Sequence, residues 1–135
     1  MSFTVDIYTP SSIIAKQVVA DQIFVPTCRG EINILPMHTH LMTELAPGII
    51  RLKTKEGEKQ FFSTIGLCKV LDQSVKILAY TSESADNIDP DRAKKAKDLA
   101  LKKLQSADGL DDAAIIKYRR KLERAELRLK LAYLR

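Results

Sequence analysis

No stretch of this 135-residue chain holds the roughly 20 consecutive apolar residues that a helix needs to cross a bilayer. Any association with a membrane is therefore expected to run through a partner. The opening MSFTVDIYTP has no basic segment followed by an apolar one, so it does not read as a signal peptide. Cysteine is scarce: Cys28 and Cys68 have neither C-x-x-C nor any other metal spacing, which favours two reduced thiols over a zinc or redox motif. The only histidines are His38 and His40. At positions i and i+2 of a strand they would point the same way, but no third ligand accompanies them, so no metal is expected. There is no Walker loop, no nucleophile elbow and no paired-carboxylate signature, so catalysis by this chain alone is not expected. Strands and helices do not alternate along the chain, which argues against a parallel nucleotide-binding sheet.

With 45% hydrophobic and 29% charged residues, the composition is that of a folded domain, and the length allows a small core with an appendage. The net charge of +5 is unevenly placed. Up to Asn87 there are eight lysines and arginines against nine acids; from Ile88 onward there are fourteen against eight. The excess positive charge belongs to the last third, which suggests an acidic partner for that segment: a nucleic acid, a nucleotide, an anionic membrane or an acidic protein surface.

Two periodicities divide the chain. Phe3, Val5 and Ile7 alternate with polar residues, as do Ile23 and Val25, Ile32 and Ile34, Ile50 and Leu52, and Val75, Ile77 and Ala79. A period of two with one apolar face marks half-buried strands. Turn residues such as Pro10-Ser11-Ser12, Pro26, Gly30, Pro36, Pro47-Gly48, Glu56-Gly57 and Gly66 separate them. After Tyr80 the pattern changes. Asp89-Pro90 is a helix start, and Ala93, Ala96, Ala100 and Leu104 form a narrow small-residue stripe that another backbone could approach closely. Ala107-Asp108-Gly109 is the stop, and Asp111 or Asp112 caps a second helix. The expected fold is thus α+β in two parts: an N-terminal antiparallel β-sandwich over residues 1–84, then a C-terminal two-helix antiparallel hairpin over residues 85–135.

On the wheel of the second helix, Ile115, Tyr118, Leu122, Ala125, Leu129 and Ala132 make one apolar stripe, and Ile116, Leu127, Leu131 and Leu134 another. A basic stripe of Lys117, Lys121, Arg124, Arg128 and Arg135 lies between them. A helix with two apolar faces needs two partners, at once or in turn.

The run Arg29-Gly30-Glu31-Ile32-Asn33-Ile34-Leu35-Pro36-Met37-His38 resembles the loop-strand-turn of the epsilon subunits of F-type ATP synthases, which usually read G-E-x-G-[ILF]-[LY]-P-x-H. Asn33 replaces the second glycine; asparagine tolerates a positive φ, so the turn is expected to survive. The resemblance continues through Pro47-Gly48-Ile49-Ile50-Arg51, Gly66-Leu67-Cys68-Lys69-Val70 and Ile88-Asp89-Pro90-Asp91-Arg92-Ala93, the last matching an I/L-D-x-x-R-A motif.

The resemblance implies a non-catalytic central-stalk subunit of a proton-translocating synthase. It would lie on the cytoplasmic face of a bacterial inner membrane, or on the stromal side of a thylakoid. Its sandwich would bind the gamma subunit and, through Glu31 and His38, the ring of c subunits. Its hairpin would restrain ATP hydrolysis by meeting an acidic surface of the catalytic head. In members of the family that bind ATP, positions matching Glu83, Ile88, Asp89, Arg92, Ala93, Arg124 and Arg128 grip the nucleotide, with or without magnesium. No cofactor is required, and weak ATP binding is implied. A further family arginine is replaced by Leu99, which removes one charge-assisted bond. The rival reading is a nucleic-acid binder whose helix residues 117–128 track phosphates; the sandwich offers no aromatic platform for it.

Overall fold

The structure, a computed structural model, describes residues 2–36, 40–106, 109 and 111–133. His38, Ala107, Asp108, Leu134 and Arg135 lie outside the described residues. Two compact units emerge, Met1–Ala85 and Asp86–Arg135.

The first unit holds ten strands among the described residues: β1 (Phe3–Tyr8), β2 (Ile13–Ala20), β3 (Gln22–Thr27), β4 (Gly30–Ile34), β5 (Leu41–Leu45), β6 (Gly48–Thr54), β7 (Gly57–Ser63), β8 (Gly66–Leu71), β9 (Ser74–Ala79) and β10 (Ser82–Ser84). They form two five-stranded sheets, β2-β1-β9-β8-β5 and β10-β7-β6-β3-β4. Every pairing is antiparallel except β1 with β9, which run parallel. The alternating positions meet between the sheets: Phe3, Val5, Ile7, Cys68, Val70, Val75 and Ile77 from one, Ile23, Val25, Ile34, Ile50, Leu52 and Phe61 from the other. All are buried, and all lie within the first unit, so the sandwich has a core of its own.

Two hairpins share one turn chemistry. Between β3 and β4 the Thr27 hydroxyl donates to the Gly30 carbonyl at 2.5 Å and accepts from the Arg29 amide at 3.3 Å. Between β6 and β7 the Thr54 hydroxyl does the same with Gly57, at 2.7 Å, and Glu56, at 3.2 Å. Each closing glycine has a positive φ, +112° at Gly30 and +122° at Gly57, which a side chain would strain. Gly66 is needed for a different reason. A Cβ there would fall on the Leu78 carbonyl oxygen and 2.8 Å from the Ala79 Cα, so the β8–β9 approach requires its absence.

Two local expectations are corrected, and one strand is added. Pro26 does not mark a turn: it lies inside β3, past Phe24, where β3's pairing with β6 stops, so its missing N–H costs no ladder bond there. Asn33 adopts no positive φ, because it pairs with Phe24 as ordinary extended strand. Strand β2, absent from the alternation, carries a bulge. The Gln17 backbone, at φ +50°, turns so that its amide donates to the buried Asp6 carboxylate at 2.7 Å.

The second unit opens with a short 3₁₀ turn, Ala85–Asn87, whose last two residues belong to it, followed by α1 (Pro90–Gln105) and α2 (Asp112–Tyr133). Asp89 caps α1, accepting from the amides of Asp91 (3.0 Å) and Arg92 (3.4 Å), with Pro90 at the first helical position. Of the two candidate caps for α2, Asp111 is the one used: it accepts from the Ala114 amide at 2.7 Å. The two helices pack on each other. Ala93 and Ala100 on α1 and Ala125 on α2 are buried, and Ala96, Tyr118 and Leu122 half-buried. The second stripe of α2 is mixed: Leu131 is buried, Leu127 half-buried and Ile116 exposed.

Candidate functional site

The small residues of α1 let α2 approach closely, and an open groove of about 290 Å³ lies between the two helices. Ala96, Leu99 and Ala100 line it from α1; Tyr118, Lys121, Arg124 and Arg128 line it from α2. Spacings of three and four bring the four α2 residues onto one face. The floor is small and apolar, and the rim carries three cations. The Lys121 ammonium stands 5.6 Å from the Tyr118 ring and that of Lys117 stands 5.8 Å away, so the ring is already polarised by cations. The chemistry suits an anion with a flat or apolar part, at the lower end of small-molecule site sizes.

Of the residues that the sequence singled out for a nucleotide, the groove gathers Arg124 and Arg128, with Leu99 facing them. Arg92 is exposed and does not line it; its backbone amide serves the α1 cap. Asp89 spends its carboxylate on that cap. Ile88 and Ala93 are buried. Glu83 belongs to the first unit, on β10, paired with Phe62. Tyr118 and Lys121 were not singled out as ligand residues, although the spacing of three that separates Lys121 from both Tyr118 and Arg124 was visible on the wheel.

On the sandwich, Glu31 projects from β4 and pairs with Arg51 at 2.8 Å. Arg51 also reaches Glu58 at 3.3 Å and stacks over Phe24, 4.2 Å from the ring centre. One guanidinium on β6 thus ties β4 to β7, with the ring of β3 beneath it. His40 pairs with Asp72 at 3.4 Å, both well exposed, and no cluster of three metal-ligating side chains occurs among the described residues. The outer face of the other sheet is unusually apolar. Ile13, Tyr8, Leu78 and Leu67 are successive partners across β2, β1, β9 and β8, and Ile13, Leu78 and Leu67 are 58%, 55% and 46% exposed. A contiguous exposed row of this kind marks a binding surface more often than a free one.

A self-contained sandwich with an apolar outer face, joined to a helical hairpin with a cationic groove, is the architecture of a subunit that binds other parts of an assembly. Residues 2–85 match the family model described as ATP synthase, Delta/Epsilon chain, beta-sandwich domain. The chain is 38% identical to the ATP synthase epsilon chain of Nitrosococcus oceani over 115 residues, covering 84% of this chain and 81% of that one. It is 34% identical to the ATP synthase epsilon chain of Persephonella marina over 131 residues, 96% of each. Among solved structures, it superposes with a TM-score of 0.79 and 26% identity on a chain of the Euglena gracilis mitochondrial ATP synthase OSCP/F1/c-ring structure, covering 99% of this chain and 82% of that one. A Tetrahymena thermophila mitochondrial central-stalk/c-ring chain, at TM-score 0.63 and 17% identity, shares the fold. The chain belongs to the ATP synthase delta/epsilon family and is an epsilon-type subunit, a stalk component and by family not a catalytic one. No helix among its described residues is long and apolar enough to cross a membrane.

Proposed function

We propose that this chain sits in the rotating central stalk of an F-type ATP synthase, where the sandwich couples gamma to the ring of c subunits and the hairpin restrains ATP hydrolysis. The observation that supports this most is the match over 99% of the chain, hairpin included, to a chain of an F1/c-ring assembly. The apolar row on the β2-β1-β9-β8-β5 sheet is the kind of surface gamma would cover. Glu31, held in place by Arg51, is offered to the ring. The cationic rim of α2 fits an acidic surface of the catalytic head, where charge pairing sets register. A protein partner of this kind accounts for the basic hairpin better than a nucleic acid does.

The groove is proposed to take ATP weakly, with the phosphates against Lys121, Arg124 and Arg128 and with Leu99 weakening the grip relative to an arginine. The residues present fit a polyphosphate in charge, with or without magnesium. Titration calorimetry on the full chain tests this. Wild type should bind ATP weakly, Arg124→Ala with Arg128→Ala should abolish the heat, and Leu99→Arg should tighten binding about tenfold or more. No heat from wild type or from Leu99→Arg at millimolar ATP removes the nucleotide from the account.

A further inference from the structure

The residues of α2 that line the groove between the two helices follow a fixed order along the axis: Tyr118, then Lys121, Arg124 and Arg128. They succeed one another at about one per turn, so the run from the ring to the last guanidinium covers about 15 Å along the helix. That matches the reach of an extended nucleoside triphosphate from its base to its terminal phosphate. The short connection between α1 and α2 makes them run antiparallel, and Leu99 and Ala100 lie about as far from it as Tyr118 does. The apolar wall of α1 therefore stands at the ring end of the groove, away from Arg128. Lys121 and Arg124 have no carboxylate partner among the described residues. The Lys121 ammonium instead lies over the Tyr118 ring, 5.6 Å from its centre. An exposed ammonium gains little from a ring, so a phosphate can draw it off and a base can take its place on the ring face.

The same walls carry almost nothing that could read the edge of a base. No carboxylate or carboxamide lines the groove among the described residues. Mid-helix backbone groups are spent on the hydrogen bonds of α1 and α2 themselves. Asp89 gives its Oδ1 to the cap of α1, and Glu83 is on β10 in the first unit. The Tyr118 hydroxyl lies in the plane of its ring, so a base stacked on that ring does not meet it with its edge. Strong discrimination between ligands that differ in donors and acceptors requires site groups built to pair with them. Stacking accepts every base, since each has a π-face. We infer that the groove takes nucleoside triphosphates as a class, with the base stacked on Tyr118 and the terminal phosphate toward Arg128, and that it does not distinguish adenine from guanine. This rests on the nucleotide reading of the groove and adds to it an orientation, a base platform and a breadth of ligand. Such a groove responds to the total supply of nucleoside triphosphate rather than to ATP alone.

Titration calorimetry on the full chain, with ATP, GTP and inorganic tripolyphosphate as probes, tests this. ATP and GTP should bind within about threefold of each other, and tripolyphosphate, which has the charge without the ring, about tenfold more weakly. Tyr118→Leu should lower the affinity for ATP and GTP to the tripolyphosphate level and leave that for tripolyphosphate unchanged, whereas Tyr118→Phe should bind all three like wild type. Tyr118 is half-buried, so a thermal melt accompanies each variant; the comparison of the three probes on wild type needs no variant at all. If ATP binds and GTP binds more than about tenfold more weakly, the base is read by groups outside the groove, so the class reading falls while the ATP reading stands. If tripolyphosphate binds as tightly as ATP, or Tyr118→Leu weakens all three probes alike, Tyr118 is no platform and the groove holds anions only. If none of the probes gives heat at millimolar concentration, the nucleotide reading fails and this inference fails with it.

Discussion

Cys28 and Cys68 show how far one residue type can diverge within a single small sandwich. Cys28 sits exposed in the β3–β4 turn, and Cys68 faces the core from β8 with no accessible surface. Burial penalises the thiolate, which pushes the Cys68 thiol up from 9.0 to about 12. The reactive species is the thiolate, so the native protein should titrate as one fast thiol with a disulfide reagent, and a second should appear only with unfolding. Two equally fast thiols in the native state would contradict the packing of β8. The same burial has a pH consequence. Above about pH 9 an unfolded chain releases the Cys68 proton while the folded one retains it until about pH 12, so the folded state binds more protons and stability falls as pH rises across that window. Below pH 9 this contribution is fully present. Cys68→Ala should lower stability at neutral pH, by leaving a small cavity, and flatten the decline between pH 9 and 12 in denaturant titrations.

At the scale of the element, much of the architecture could be read from periodicity, and the exceptions have identifiable causes. Strands β1, β3, β4, β6 and β9 alternate cleanly because one face of each meets the core. Strand β7 does not, because Phe61, Phe62 and Ser63 are buried in succession and blur the period of two. The bulge at Gln17 hides β2 in the same way, and Pro26 punctuates the sequence without ending a strand. The start of helix α1 was legible, since Asp89 and Pro90 are local signals that tertiary packing does not override; its end falls at Gln105, with Ser106 as the cap, ahead of the expected stop at Ala107-Asp108-Gly109. The groove was legible only by halves. Arg124 and Arg128 stood out on the wheel of α2, but that they share a site with Leu99 depends on how two helices pack, which no single wheel encodes. Asp89 is where element and site compete. As a cap, its carboxylate oxygen is the working part, so Asp89→Ala should cost the hairpin about 1 kcal/mol while Asp89→Asn costs little. Thermal melts of the two variants, set beside their ATP titrations, separate the roles: equal binding by Asp89→Asn and wild type assigns the residue to the cap alone, and lost binding with unchanged stability assigns it to the ligand.

For the whole molecule, the division into Met1–Ala85 and Asp86–Arg135 separates what holds the chain together from what would regulate. The main core cluster lies entirely within the first unit, so a chain ending at Ala85 should remain a cooperative β-rich protein by circular dichroism and should still join a reconstituted synthase. It should not restrain ATP hydrolysis, because the basic rim of Lys121, Arg124 and Arg128 goes with the second unit. Full-length chain with Arg124→Glu and Arg128→Glu should behave in the same way at low salt, since reversing two charges that face an acidic surface repels what the wild type attracts. A ligand shifts a two-state equilibrium only by its differential affinity for the two states. If the closed groove alone binds ATP, a tenfold excess over Kd favours the closed hairpin by about 1.4 kcal/mol, roughly a tenfold change in population. Hydrolysis by the reconstituted enzyme should therefore be more strongly restrained after ATP is depleted than when it is abundant. Leu99→Arg, by tightening the groove, should move the crossover to lower ATP. The measurement is the initial hydrolysis rate after preincubation at graded ATP, and the same crossover for wild type and Leu99→Arg would uncouple the groove from the restraint. Loss of restraint in the truncated chain, with no dependence on Leu99, would leave the hairpin as an inhibitor governed by something other than the nucleotide.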